Sequence, residues 1–325
     1  MSRSVVLVYR ELPPDQLERI RAEHEVIVAD PFLPGQEAPF FEALGRASGM
    51  IGALYPVGPA LLARAPELRV VSSISVGVDA YDQAALAGRG IVLCHTPGVL
   101  DEAVADLLMG MVLALGRRIP ELAEYVRAGH WTGNVGPSLY GWDVHGKTLG
   151  VLGYGRIGHA VARRAALGFR MPVLYCARSP RESGLPEGMA RQVPLPELLA
   201  ESDFLVVVLP LTDETRGLLG APELARMKPG AFLVNAGRGA VLREDALLRA
   251  LDEGRLRGAA LDVFATEPLS RESPLRTHPK VLPLPHVGSA THETRHAMAE
   301  MATSNLLMAL RGEPPLAAYP LRRQS

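Results

Sequence analysis

The segment KTLGVLGYGRIGHAVARRAALG, which begins at Lys147, constrains this chain more than any other. An apolar run ends in Gly153-Tyr154-Gly155-Arg156-Ile157-Gly158, and a helical pattern of small and apolar residues follows at once. In a strand–turn–helix of this kind the first glycine permits the tight turn, the second lets backbone approach a pyrophosphate, and the third lets helix pack on strand. The helix N-terminus adds free N–H groups and the positive end of its dipole. A glycine-rich turn without a ligand is the plainer alternative; the strand before it and the helix after it argue for the dinucleotide. About twenty residues further on, an NAD-preferring protein would carry Asp or Glu for the ribose hydroxyls. This chain reads Tyr175-Cys176-Ala177-Arg178-Ser179-Pro180-Arg181 there, and the nearest carboxylate is Glu182. Arg178, helped by Ser179 and Arg181, is placed to pair with a 2′-phosphate, because a guanidinium matches phosphate geometry. The bland reading is a surface arginine in a chain whose cations are almost all arginine, the lysines being Lys147, Lys228 and Lys280. The expected cofactor is NADP, with NAD as the alternative.

The rest of the chain keeps the same rhythm. Short β-branched runs at Val5–Tyr9, Glu25–Ala29, Arg69–Ile74 and Ile91–His95 alternate with helix-like stretches such as Asp15–Glu23. That is the order of a parallel sheet with helices on its faces. After Pro97-Gly98 a long helix is predicted, with Val104, Leu107, Leu108, Met111, Val112 and Leu115 at three- and four-residue steps and Asp101 as its N-cap. An irregular stretch, HWTGNVGPSLYGWDVHGK, precedes a second series that starts at Thr148. Its strands are expected near 149–152, 173–177, 204–208, 231–234, 258–262 and 281–284, with a last helix over 291–310 and a tail that packs on the body. At 325 residues two domains are expected. The fold class is α/β, with two Rossmann-like domains, each a parallel sheet with helices on both faces; only the second carries the phosphate-binding turn.

Composition excludes several classes of function. The formal net charge is -1 and the charges are interspersed, so neither nucleic acid nor an anionic membrane is an expected partner. The longest uncharged apolar run, Leu107–Gly116, falls short of the ~20 residues a membrane span needs. The start, MSRSVVLVYRELPPD, has no signal-peptide pattern, and a cytoplasmic setting is expected. Cys94 and Cys176 sit in apolar strand-like runs without zinc-site spacing, so they read as buried free thiols and no metal is expected.

Three polar residues of the second half each lie just past an apolar strand: Arg238 in LVNAGRGAVL, Glu267 in ALDVFATEPL and His286 in VLPLPHVGSAT. Open α/β sheets bind ligands at that edge. Any one of them could be a solvated loop residue, but their shared position favours a site. Reduction of a 2-keto acid needs a cation to hold the carboxylate and polarise the carbonyl, which suits Arg. It also needs a proton donor that titrates near neutrality, which suits His, and a carboxylate that orients the imidazole and stabilises its charged form.

The motifs ISVGVDAYD, TPGVLDEAVADLLM, LGYGRIG, LPLTDETRGLLG, MKPGAFLVNAGRG, ALDVFATEPL and PHVGSATHETR together resemble the D-isomer-specific 2-hydroxyacid dehydrogenase family over nearly the full length. Within it, THETR, GFRMPVLYCAR and DVHGKTLGVLGYGRIG are similar to the bacterial glyoxylate/hydroxypyruvate reductases that also reduce 2-ketogluconate. The resemblance implies that Arg238 binds the substrate carboxylate and carbonyl, that His286 is the acid/base, and that Glu267 is its partner. It gives the carboxylate the backbone amides of Val76 and Gly77, and a polar substrate tail the phenol of Tyr55. Asp262 would contact the nicotinamide amide, Leu209 and Pro210 the adenosine side, and Ala236 and Gly288 the cofactor. It implies a substrate domain of 1–98 completed by 291–325, a dinucleotide-binding domain of 99–290, and an active site in the cleft between them. A homodimer through the segment after the long helix is also implied, with Trp131, Tyr140 and Trp142 either at the partner's active site or simply packed at the interface. A phosphite dehydrogenase, an enzyme for another 2-hydroxy acid, and a dinucleotide-sensing protein-binding module that keeps the triad stay open as alternatives.

Overall fold

A computed structural model describes residues 3–321. The first strands and helices are β1 (Val5–Val8), α1 (Pro14–Glu23), β2 (Glu25–Val28), α2 (Glu37–Leu44), β3 (Ala47–Gly52), α3 (Pro59–Leu62), β4 (Val70–Ser73), α4 (Gln83–Gly88) and β5 (Val92–Cys94). Two helices follow, α5 (Asp101–Gly116) and α6 (Ile119–Arg127), and then β6 (Leu149–Leu152), α7 (Arg156–Phe169), β7 (Val173–Cys176) and β8 (Ala190–Gln192). The remainder is α8 (Leu195–Glu201), β9 (Phe204–Val207), α9 (Ala221–Arg226), β10 (Ala231–Asn235), α10 (Glu244–Asp252), β11 (Leu256–Leu261), β12 (Val281–Pro283) and α11 (His292–Arg311). Contacts divide the chain into two units, one made of residues up to Leu100 and from Ala290 on, the other of Asp101–Ser289.

The first unit is a five-stranded parallel sheet in the order β2-β1-β3-β4-β5. Strands β1 and β4, which flank β3, are buried throughout, as β-branched and apolar runs in a parallel sheet must be when both faces are covered. Asp82 caps α4 through the Ala85 N–H, and Thr291 caps α11 through the Thr294 N–H. Helix α11 packs on β3, β4 and β5. The following chain turns back antiparallel to β5, with the Tyr319 N–H on the Leu93 carbonyl (2.7 Å) and the His95 N–H on the Ala317 carbonyl (3.1 Å). This covers an otherwise open sheet edge; tail residues 322–325 lie outside the described residues.

The second unit is a seven-stranded parallel sheet in the order β12-β11-β10-β9-β6-β7-β8. Helices α5 and α7 pack together, and α8, α9 and α10 form a separate group; both groups touch the sheet. Leu205 and Val207 of β9 join Leu198, Leu224 and Leu247 in one core. Each such fully buried aliphatic side chain contributes about 1.5–3 kcal/mol through the water it no longer orders. Strand order reverses between β6 and β9, and the carboxyl ends there form the crevice where such sheets take ligands.

Four details depart from the sequence reading. Strands β3 (ASGMIG) and β8 (ARQ) were unexpected: β3 is glycine-interrupted, and β8 is a short, exposed edge strand. Asp101 is the first residue of α5 rather than its cap; an acid in the first turn still meets the positive dipole end. Its carboxyl is buried, which pushes its pKa up against the nearby Arg156 charge. Cys94 is buried, with burial pushing its thiol up to about 12, but Cys176 at the end of β7 is only partly covered. Among the described residues, no helix is long and apolar enough to cross a membrane, and no group of three His, Cys, Asp or Glu could hold a metal.

Candidate active site

The dinucleotide turn starts as β6 ends. Gly155 is the N-cap of α7 with no side-chain cap bond. The helical ladder begins with the His159 N–H on the Gly155 carbonyl (2.9 Å), so the amides of Arg156, Ile157 and Gly158 precede it. The Arg156 side chain turns aside, its Nε 3.4 Å from Asp101 Oδ2. A Cβ on Gly158 would lie 2.2 Å from the Gly153 carbonyl oxygen, so only glycine lets the helix start this close to the strand. Tyr154 stacks on Tyr175 with ring centroids 3.8 Å apart, and burial pushes its phenol up to about 12. That keeps it a donor to the Ser183 carbonyl at 2.7 Å. A glycine turn, an uncapped helix start of this length and no acid in its first turn together fit a pyrophosphate.

Arg178 and Ser179 are exposed in the turn after β7. Arg181 folds back, its guanidinium on the Tyr154 carbonyl at 3.3 Å. Leu209 and Pro210 follow β9, where Leu209 lies against Gly153 and Gly237. Ala236 follows β10, and its N–H donates to the Val207 carbonyl at 3.2 Å.

The three polar residues converge at the carboxyl ends of β10, β11 and β12. His286 Nδ1 lies 2.6 Å from Glu267 Oε2. The second Glu267 oxygen accepts the Phe264 N–H at 3.0 Å. Burial pushes the Glu267 carboxyl up, but the His286 hydrogen bond, the Phe264 amide and the charges of His286 and Arg238 outweigh it and hold it below its ordinary range. An ionised carboxylate only accepts, so Nδ1 carries a proton and Nε2 is left to exchange one with a ligand. The two side chains keep 43% and 32% of their surface exposed, so the pair is open to a ligand.

The backbone behind the pair is held by residues that the sequence reading missed or cast otherwise. His286 has φ +56, a left-handed conformation that costs a non-glycine residue about 1 kcal/mol or more. Asp262, only 1% exposed, accepts the Val287 and Gly288 N–H groups at 2.8 Å each, which fixes the residues just after His286. Both Asp262 oxygens are thus engaged within the chain, and burial raises its pKa despite those bonds. Buried Asn235 accepts the Gly237 N–H (3.0 Å) and donates to the Arg238 carbonyl (3.1 Å), clamping the loop that carries Arg238. The Arg238 guanidinium donates to the Gly237 carbonyl at 2.8 Å. A Cβ on Gly239 would sit 1.9 Å from the Phe264 carbonyl carbon, so glycine is what lets the Arg238 loop touch the Glu267 loop. A polar Asn closing the apolar run AFLVN was the available signal, since a buried amide must be satisfied.

In the first unit, Tyr55 follows β3 and its ring packs on Phe32 and Phe40. Val76 and Gly77 follow β4. The Val76 carbonyl accepts from His95 Nδ1 (3.1 Å), and the Gly77 N–H donates to the Ser75 hydroxyl (3.2 Å). Trp131, Tyr140 and Trp142 are all exposed, Trp142 least so, with its ring edge-on to Phe232 and under Arg257.

Residues 109–288 match the family described as D-isomer specific 2-hydroxyacid dehydrogenase, NAD binding domain. The chain is 49% identical over 311 residues to glyoxylate/hydroxypyruvate reductase B of Escherichia coli (strain K12), covering 95% of each chain. Among solved structures, a protein of Thermus thermophilus superposes with a TM-score of 0.90 at 43% identity, covering 97% of this chain and 100% of that one. The NADPH-dependent glyoxylate/hydroxypyruvate reductase of Sinorhizobium meliloti, solved with NADP and malonate, gives 0.85 at 33% identity over 100% of both chains. This chain is therefore an oxidoreductase with a Rossmann NAD-binding domain, and it belongs to the D-isomer specific 2-hydroxyacid dehydrogenase family.

Proposed function

We propose that this chain reduces small 2-keto acids (glyoxylate, hydroxypyruvate and 2-ketogluconate) to D-2-hydroxy acids, with NADPH preferred over NADH. The observation that carries the reading is the His286–Glu267 pair at 2.6 Å, on the same sheet edge as Arg238. Arg238 holds the carboxylate and polarises the carbonyl. The reduced nicotinamide supplies the hydride when bound. His286 Nε2 gives its proton to the carbonyl oxygen, and Glu267, ionised through the neutral range, holds the imidazole upright and balances its charge. Asp262 keeps the His286 backbone in place and contacts the nicotinamide amide. Leu209, Pro210, Ala236 and Gly288 line the cofactor.

On the first unit, which we take as the substrate domain, the Val76 and Gly77 amides take the carboxylate and Tyr55 a polar tail. The Gly77 amide exchanges its Ser75 partner for the substrate when it does so. The NADP preference is supported by Arg178 where a carboxylate would mark NAD, and by the NADP complex of the Sinorhizobium meliloti relative. A cytoplasmic homodimer is part of the proposal, and exposed Ile119, Val126, Trp131, Val135 and Tyr140 along one segment support it. Assaying glyoxylate, hydroxypyruvate and 2-ketogluconate against both cofactors tests the reading. Binding of NADPH without turnover of any 2-keto acid would overturn it in favour of a dinucleotide-sensing module.

A further inference from the structure

The turn that carries Arg178 is unusual in how it is held. Among the described residues, no backbone–backbone hydrogen bond joins the amides or carbonyls of 177–183 to the rest of the chain. Pro180 has no N–H to offer. The turn hangs on side chains instead. The Tyr175 hydroxyl donates to the Arg181 carbonyl (2.6 Å) and the Tyr154 hydroxyl to the Ser183 carbonyl (2.7 Å), which secures its far end. The near end, around Arg178, is held by one residue. Gln192 ends the edge strand β8, opposite Tyr175. Its Nε2 donates to the Ala177 and Ser179 carbonyls at 3.2 Å each, and its Oε1 accepts the Arg181 N–H at 2.9 Å.

We infer that Gln192 is a positioning residue for cofactor choice, fixing the backbone on either side of Arg178 so that the guanidinium is ordered before a 2′-phosphate arrives. A primary amide offers two donors and an acceptor in one plane, which is what two carbonyls and an N–H require. Glu lacks the donors, Leu lacks all three groups, and Asn is one methylene too short. The effect is selective for a physical reason. An arginine on a loose turn must be ordered when it grips a phosphate, and that cost comes out of the affinity. A dinucleotide without the 2′-phosphate makes no use of the ordered guanidinium, so it gains nothing from Gln192. The edge position lets the residue be changed with little disturbance, because Gln192 is exposed, whereas Tyr154 and Tyr175 are buried.

The inference rests on the proposal that Arg178 meets the 2′-phosphate, and the test separates the two. Dissociation constants for NADPH, NADH and adenosine 2′,5′-bisphosphate are measured by fluorescence titration and competition, with thermal melts alongside. The proteins are wild type, Gln192→Leu, Arg178→Ala and the double variant. Gln192→Leu is expected to weaken NADPH and the bisphosphate by roughly fivefold, the loss of a modest hydrogen-bond set, and to leave NADH within about twofold. In the Arg178→Ala background it is expected to add no further loss, because it acts through that guanidinium. Equal weakening of NADPH and NADH, or a loss that adds in full to that of Arg178→Ala, makes Gln192 merely structural and overturns the inference. No change in NADPH affinity, while Arg178→Ala weakens NADPH selectively, overturns it as well and spares the 2′-phosphate reading. Arg178→Ala that fails to discriminate between the cofactors removes that reading and the inference with it.

Discussion

The carboxyl edge of the seven-stranded sheet has two ends built on opposite principles. At the β10–β12 end, the catalytic candidates sit on backbone clamped by buried groups: Asp262 holds the amides after His286, and Asn235 holds the loop of Arg238. At the β7–β8 end, the turn of Arg178 has exposed polar side chains and is tied around the arginine by an exposed glutamine, two buried tyrosines holding only its far end. Buried hydrogen bonds are costly to break, because the orphaned group keeps its desolvation penalty, whereas exposed ones are replaced by water. Proton transfer tolerates little misplacement, so a rigid support suits the first end. Recognition of a phosphate on a flexible dinucleotide tolerates more, and its residues can change without unsettling the core.

The largest effect expected from this contrast is at His286. His286→Ala should lower kcat by about three to four orders of magnitude, the upper range for a general acid, and leave the NADPH dissociation constant nearly unchanged. A lost cofactor affinity instead would make the residue structural. Arg238→Lys should cost about a hundredfold or more in kcat/KM, since an ammonium cannot hold a carboxylate through two parallel bonds. Its melting temperature should move little, and a large drop there would assign Arg238 to the clamp rather than to the chemistry.

Glu267→Gln keeps the shape but removes the charge that stabilises a protonated imidazole. At neutral pH kcat/KM should therefore fall by about ten- to a hundredfold, because the imidazole keeps its hydrogen-bond partner but loses the charge that balances its own during proton transfer. The same variant reads out stability. The Glu267 carboxyl is held below its ordinary value of 4.5, so the ionised form stabilises the folded state above that value. That contribution is lost as pH falls through the lowered folded-state value. Thermal melts should show an acid-side loss in the wild type that is smaller in Glu267→Gln; identical curves would mean that the carboxylate is not engaged in solution.

The smallest effect belongs to the exposed end. Arg178→Ala should raise KM for NADPH by about tenfold and leave NADH nearly alone. An equal effect on both cofactors would dissolve the contrast between a catalytic end and a specificity end.

Much of the architecture is legible because it repeats locally. A β-branched run bounded by turn residues reads as a strand wherever it occurs, and the glycines of GYGRIG are spaced by covalent geometry alone. Arg238, Glu267 and His286 could be picked out because each follows such a run, and the end of a parallel strand is a position that a one-dimensional pattern records. Strand β3 escaped because its ladder partners, β1 and β4, supply what its own glycines and serine do not advertise. Gln192, and the clamping role of Asp262 beside the cofactor contact expected of it, escaped for a related reason. Asp262 and Gln192 act through hydrogen bonds to residues 25 and 26, or 11 to 15, positions away, and a sequence gives no sign of which amide a carboxylate will face.

The dinucleotide turn marks the division. By itself the sequence determined that a strand, a glycine turn and a helix follow one another at residues 149–169, and that no acid stands at the ribose position, because both are matters of residue type at short range. Tertiary structure alone decided that Tyr154 of that turn would stack on Tyr175 and reach Ser183, and that Gln192 would bond the carbonyls of Ala177 and Ser179 on either side of Arg178. Those contacts exist because β6, β7 and β8 pair side by side, and pairing is settled by the burial of the whole sheet rather than by any one of its strands.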